Sequence, residues 1–259
     1  MDPRAENRLT FLGTGTSQGV PLIGCHCPVC RSDDPRDKRL RTSALITLHG
    51  DNFLIDAGPD FRQQMLTHHV ENLRAILLTH EHVDHIFGLD DIRAFNWIQK
   101  RPADIYAERR VHTAIRRIFH YVFARWRYPG IPQMELHDVS DLPFRIGNAE
   151  FTPIRCFHHK LPVLGFRTGD LTYLTDVNAI PEKEMKKIRG TRMLVVNALR
   201  HEKHISHFNL EEALRLIEEI SPRYSYLTHL SHSLGKHLDV EKTLPGNVFL
   251  AYDGLSVTL

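Results

Sequence analysis

The chain has 259 residues, enough for one large domain or two small ones with a sizeable core. Hydrophobic residues at 42% and charged residues at 25% sit near the globular average, which excludes disordered, collagenous and coiled-coil chains. The net charge of +2 neither demands nor excludes a phosphate-bearing partner.

The chain opens MDPRAENRLTFLG, with Asp2 and Glu6 and no apolar leader segment, so a cytoplasmic protein is expected. No apolar run approaches the ~20 residues of a membrane helix. Short β-branched runs bounded by Gly, Asp, Asn or Pro predict strands at 9–12, 44–48, 53–55, 75–78, 171–174, 193–196, 224–227 and 248–251. After the first comes Gly13-Thr-Gly-Thr-Ser-Gln-Gly19, which lacks the Lys of a phosphate-binding P-loop and leads into no helix; it reads as a tight structural loop. Asp60 with Gln63 predicts a capping box opening a helix through His68, and Asn209 with Glu212 predicts another before Leu210, Ala213, Leu214 and Ile217. Val111, Ile115, Ile118 and Val122 mark a further helix. The Pro- and Gly-rich stretch 125–143 reads as a loop. The alternation predicts an α/β chain with strands outnumbering helices. The residues that carry chemistry run from position 25 to 232 and can meet only in one folded unit, so a single domain over 1–259 is expected.

Histidine is the compositional outlier, at 18 residues with no run at either end. His80-Glu81-His82-Val83-Asp84-His85 follows the buried strand at 75–78. Alternation sends His80 and His82 the same way, whereas Asp84 and His85 begin a helix expected to reach Gln99 and point from a second direction. Four ligands arriving from two directions suit two metals better than one. The mixed imidazole and carboxylate set fits Zn²⁺ and is compatible with Mn²⁺ or Fe.

Thr79-His-Glu-His-Val-Asp-His85 resembles the signature loop of the metallo-β-lactamase superfamily. The resemblance covers nearly the whole chain. Leu54-Ile-Asp56-Ala-Gly58 looks like the superfamily's first motif, whose Asp56 would hold the metal loop without touching metal. Tyr173-Leu-Thr-Asp176 looks like the source of a bridging carboxylate, and Thr228-His229 like the last ligand motif. His158 and His159 are both candidates for the remaining ligand; the resemblance favours His158. It thus implies one metal on His80, His82 and His158, a second on Asp84, His85 and His229, and Asp176 between them. The implied fold is a four-layer αββα sandwich of two mixed sheets. The implied chemistry is hydrolysis by a metal-bridging hydroxide, with Asp84 counted among the catalytic residues as well as the ligands.

Cys25-His-Cys27-Pro-Val-Cys30 offers three thiolates in a loop at about 24–31, where metal is favoured over disulfide. The segment resembles an insertion of the PhnP-like phosphodiesterases, in which a downstream histidine, here His232, completes a structural zinc site. Gly13-Thr-Gly15, Gln18-Gly-Val-Pro21 and Thr228-His229-Leu-Ser-His232 extend that likeness. Cys156 stands alone and reads as a buried small side chain.

In PhnP-like enzymes a further histidine acts as general acid. Ser206-His-Phe-Asn-Leu210 is similar to that segment, which makes His207 the candidate over His201 and His204. Asn197 departs from the pattern, since an acidic residue is expected there, and this bears on substrate identity. Six arginines and five aromatics interleave over 109–128; an amphipathic helix packed on the core or a partner subunit is favoured over a nucleic-acid surface. The resemblance implies a phosphodiesterase of small or cyclic phosphate diesters, a homodimer with two Zn or Mn ions and one structural Zn. A tRNA-processing nuclease is an alternative, but no long Gly/Pro-rich arm is present. A PqqB-like cofactor-biosynthesis protein is another, on the Cys-rich loop. Imidazole at His82 argues against a di-iron redox centre, and the full ligand set argues against a non-catalytic scaffold.

Overall fold

Apolar runs buried on both faces set the architecture. In the computed structural model, which describes residues 7–126 and 128–259, two seven-stranded sheets lie face to face. Asp2, Glu6 and Arg127 lie outside the described residues. The first sheet contains β1 (Arg8–Gly13), β2 (Ser43–Leu48), β3 (Asp51–Ile55), β4 (Ala75–Leu77), β5 (Ala103–Ala107), β6 (Met134–Asp138) and, beside β1, the last strand β14 (Ser256–Thr258). The second contains β7 (Phe144–Ile146), β8 (Ala149–His158), β9 (Leu161–Thr168), β10 (Leu171–Tyr173), β11 (Met193–Asn197), β12 (Tyr224–Thr228) and β13 (Val248–Leu250). Both sheets are mixed. Strands β3 to β6 and β10 to β13 run parallel, and the other neighbours pair antiparallel.

Strand β3 shows how sequence makes layers. Phe53 and Ile55 enter the cluster between the sheets, whereas Leu54 enters the cluster on the outer face, and all three are buried. A strand covered on both sides reads as an unbroken apolar run. Strand β11 repeats the pattern, with Val195 inward and Leu194 and Val196 outward. Helices α1 (Phe61–Thr67), α2 (Val83–Ile86), α3 (Arg93–Gln99) and α4 (Arg109–Ile118) cover the first sheet. Helices α5 (Glu182–Ile188), α6 (Leu210–Ile220) and α7 (His237–Glu241) cover the second. The expected αββα sandwich is the observed one. No helix among the described residues is long and apolar enough to cross a membrane.

Several boundaries differ from the sequence reading. Asn209 and Glu212 form the capping box, with Glu212 N–H donating to Asn209 Oδ1 at 2.9 Å and Asn209 N–H to Glu212 Oε2 at 3.1 Å. Asp60 does not cap α1. Its carboxylate accepts from the Arg41 backbone N–H at 2.8 Å and pairs with the Arg41 guanidinium at 2.9 Å. The helix expected from Asp84 to Gln99 is broken into α2, a 3₁₀ segment at Phe87–Ile92 and α3. The stretch 125–143 is not all loop. It contains β6, whose half-exposed residues hide the strand pattern. The helix marked by Val111 to Val122 ends at Ile118 and continues as a 3₁₀ turn.

The break after α2 has a steric cause. The Gly88 N–H donates to Ala57 O at 2.8 Å instead of continuing the helical ladder. A Cβ on Gly88 would lie 2.1 Å from Gly58 O and 2.4 Å from Phe61 Cβ, and a Cβ on Gly58 would lie 2.0 Å from Asp84 O. Two backbones therefore touch where the metal motif passes the 56–58 loop. Gly88→Ala is expected to lower stability by about 2–3 kcal/mol or more in urea unfolding. Gly246→Ala, where an added Cβ meets nothing within 4 Å, should change it by under about 0.5 kcal/mol.

Candidate metal centre

The site lies beyond the carboxyl ends of the parallel strands, where open α/β sheets place their ligand-binding loops. Asp56 follows β3, His80 follows β4, Asp176 follows β10 and His229 follows β12. Asp56 is fully buried and accepts from Thr79 N–H at 2.8 Å, from Thr79 Oγ1 at 2.9 Å and from His85 Nδ1 at 2.7 Å. Thr79 Oγ1 also lies 2.9 Å from His80 Nδ1. With the hydroxyl proton directed to Asp56, that oxygen accepts the Nδ1–H of His80. One carboxylate thus fixes both rings with Nδ1 protonated and Nε2 free to bind a cation. His158 is fixed in the same sense, because its Nδ1–H donates to Ser206 O at 2.8 Å.

The freed nitrogens converge on Asp176. His85 Nε2 stands 3.2 Å and His229 Nδ1 3.1 Å from its Oδ2, and His207 Nδ1 stands 3.7 Å from its Oδ1. Asp84 Oδ2 lies 3.3 Å from His85 Nε2. His80, His85 and Asp176 form one cluster able to hold a cation, and His158, Asp176 and His207 form a second, so Asp176 belongs to both. His82 stands farther out and is exposed, its ring 4.5 Å from that of His80 and 5.1 Å from that of His158. His159 is turned away, exposed, with its backbone N–H on Asn178 Oδ1 at 2.7 Å.

His80 Nε2, His85 Nε2, His207 Nδ1 and His229 Nδ1 are buried without a hydrogen-bond partner among the described residues. Each such orphan costs about 1–3 kcal/mol, so those of His80, His85 and His229, gathered about one carboxylate, fit cations far better than an unfilled interior. Electrostatics divide the group: His80 is kept as a neutral donor, whereas the carboxylates around His85 draw a proton that a bound cation would have to displace. Burial, and next the His85 charge, hold His80 well below the ordinary imidazole range. Burial also pulls on His85, but Asp56, Asp176 and Asp84 outweigh it and raise that ring. Burial works against the charge of Asp176, yet His229 and His85 hold its carboxyl well below the usual range. His207 is pushed down to about 3 by burial and then by His229, so it is neutral at pH 7.

A second cluster lies beside the first. Sγ of Cys25, Cys27 and Cys30 stands 3.3, 3.4 and 3.5 Å from His232 Nδ1. In a tetrahedron with Zn–S of ~2.3 Å and Zn–N of ~2.0–2.1 Å the sulfur–nitrogen edges are about 3.5–3.6 Å, so the four groups fit zinc closely. The Cys30 backbone N–H, 3.4 Å from Cys27 Sγ, is the main reason the Cys27 thiol falls to about 6 despite opposing burial. Burial pushes Cys30 up to about 11. Cys156 is fully buried, as expected of a packing residue, and burial raises its thiol.

Other placements were not legible in the sequence. Asn197 does not face the site. Its Oδ1 accepts from Val177 N–H at 2.8 Å and its Nδ2 donates to Val177 O at 3.0 Å, gripping the peptide next to Asp176. An Asp there would lack the second donor, so the departure from the acidic pattern is a backbone clamp. The turn Thr16 to Gly19 lies beside the site, as a tight loop. With Arg200, His204, Ser231 and Ser233 it walls a cavity of about 240 Å³ that reaches His207, His229 and His232. The only sequence signal for it was a Gly-rich turn after a strand. Part of the arginine-rich stretch also reaches the centre: Arg110 pairs with Glu81 inside the metal motif.

Residues 51–230 match the family described as the beta-lactamase superfamily domain. A solved diphosphatase of the PhnP family is 37% identical, with TM-score 0.92 over 98% of this chain and 97% of that one. The chain belongs to the metallo-β-lactamase superfamily, in its PhnP-like branch. An octanoyltransferase of Porphyromonas gingivalis is 44% identical over 255 residues, which is 97% of this chain but 51% of that protein. This metallo-β-lactamase chain therefore spans about half the length of that curated relative. Zinc-bound PqqB from Methylobacterium extorquens shares the fold at TM-score 0.78 over 97% of this chain and all of that one, with 19% identity. Family and fold together support a metal-dependent hydrolase.

Two substitutions separate the supports of this metallo-β-lactamase centre. Asp56→Asn should weaken metal binding about 10–100-fold in competition with a chelator, since the ring tautomers lose their anchor. Asn197→Asp should lower stability by about 1–3 kcal/mol in denaturant unfolding, because Val177 O loses a buried donor.

Proposed function

We propose that the chain hydrolyses small phosphate diesters at a centre of two divalent cations, zinc or manganese. His80, His82 and His158 would hold one ion, Asp84, His85 and His229 the other, and Asp176 both. A structural zinc would sit on Cys25, Cys27, Cys30 and His232. The observation that carries the reading is the convergence of buried, partnerless imidazole nitrogens on Asp176. Likeness to the PhnP-family diphosphatase supports phosphate over other substrates.

When bound, the ions supply Lewis acidity to the phosphoryl group and lower the pKa of the attacking water. The chain's own groups do the rest. Two carboxylates, Asp84 and Asp176, leave a pair of dications only partly neutralised, which favours an anionic phosphate. Asp84 lies at the edge of the cluster, where its carboxylate can take the proton of the water. His207 is the candidate donor to the leaving oxygen. It is neutral without substrate, so the negative charge of a bound phosphate must raise it before it can carry that proton. Its ring lies 4.5 Å from that of His158 and 4.8 Å from that of His229, so it would release its proton beside the proposed ligands.

An acyl ester or thioester substrate is the second reading. It rests on the 44% identical octanoyltransferase, whose name describes a protein about twice as long as the matched segment.

With bis(p-nitrophenyl) phosphate as substrate, the metal-loaded protein is expected to turn over. His207→Ala should lower kcat by about 10²–10⁴ with unchanged metal content. Absence of turnover on the diester, with hydrolysis of octanoyl thioesters instead, would transfer the assignment to the second reading.

A further inference from the structure

The proposed site draws its ligands from both sheets, so something must register one sheet against the other. His80 and His82 leave β4 of the first sheet, and His158 ends β8 of the second. One backbone bond ties these parts, from Leu164 N–H to Thr79 O at 3.0 Å. A side chain makes a second tie. Arg110, in the first turn of α4, sends Nη1 to the Glu81 carboxylate and Nη2 to the carbonyl of Pro162. Glu81 stands between His80 and His82. Pro162 pairs with Phe157 in the β8–β9 ladder, one residue from His158.

The guanidinium is backed as well as bonded. Glu108 Oε2 lies 3.6 Å from Arg110 Nη2, and Glu108 Oε1 accepts from Arg155 Nη2 at 2.7 Å, so the backing carboxylate is itself held by β8. The Arg110 and Glu81 side chains are 31% and 23% exposed, which shields their pairing from solvent more than an open surface pair. Neighbouring Arg109 points elsewhere, to Asp138, and is 88% exposed.

We infer that Arg110 is a positioning residue that sets His80 and His82 against His158, and so controls the affinity of one half of the centre. Asp84, His85 and His229 have no bond to it. Asp56 holds His85, and His229 follows the end of β12. A planar fork reaches a carboxylate and a carbonyl at once, whereas an ammonium is a point charge on a flexible stem. The inference rests on the two-metal reading above.

Manganese avoids thiolates, so Mn²⁺ titration followed by electron paramagnetic resonance leaves the cysteine cluster uncounted, and the coupled-pair signal separates the centre from a lone ion on the outlying group of Asp104, Glu135 and His137. The wild type is expected to bind two ions and show the spectrum of a coupled pair. Arg110→Ala should keep one ion at near wild-type affinity, weaken the second at least about 10-fold, and show an uncoupled spectrum at intermediate Mn²⁺. Arg110→Lys should fall between, and Arg109→Ala should match the wild type. Two ions with unchanged affinity in Arg110→Ala would overturn the inference. So would equal weakening of both, or a lower thermal transition with the stepwise pattern intact. A wild type that takes a single ion contradicts the dinuclear reading instead; unchanged affinity for that ion in Arg110→Ala would then sink the clip separately.

Discussion

A carboxylate sealed in the protein interior governs the rest of the centre. Asp56 is fully buried, and an ionised group in that position is tolerable only when donors surround it. Three donors do so: the Thr79 amide, the Thr79 hydroxyl and the His85 ring. Those bonds also decide chemistry. They place the proton of His85 on Nδ1 and, through Thr79, that of His80, leaving both Nε2 atoms free. The close backbone passage at Gly58 and Gly88 keeps the 56–58 loop against the metal motif, so the anchor and the anchored are held together.

The same region accepts strained backbone. Asp56, Asp176 and His229 all have φ between 55° and 61°. Left-handed conformations cost about 1–2 kcal/mol for a residue with a Cβ, and Asp and His tolerate them better than branched residues. Each of the three follows a strand end, and the sharp turn directs a polar side chain inward where the strand would have carried it past. The Val177 peptide gripped by Asn197 holds one such turn. The Leu230 N–H on Thr14 O, at 2.8 Å, holds another next to His229. His232 lies in the same loop, so a zinc on the cysteine cluster would brace His229 from its other side.

Much of this was legible from the chain. The motif at 80–85 marks candidate ligands by strand and helix periodicity, and the cysteine spacing and capping box at Asn209 are equally local. Fold and family followed from the resemblance of such motifs to the metallo-β-lactamase pattern. What stayed hidden depends on distant neighbours. Asp60 was free to cap until Arg41 occupied its carboxylate. The helix after Asp84 looked continuous because nothing local says that the 57–58 backbone intrudes. Asn197 looked like a missing acid because its partner is a peptide twenty residues upstream. Strand β6 looks like loop in the sequence because an exposed edge strand needs no apolar alternation. Thr16 to Gly19 and Arg200 meet only after folding, so no spacing could mark their shared cavity.

The most direct test is anomalous scattering from crystals grown with zinc or manganese. Two peaks about 3.5–4 Å apart flanking the Asp176 carboxylate, and a third inside the cysteine cluster, are the predicted result. A single peak near Asp176, or metal bound away from His80, His158 and His229, would contradict the account.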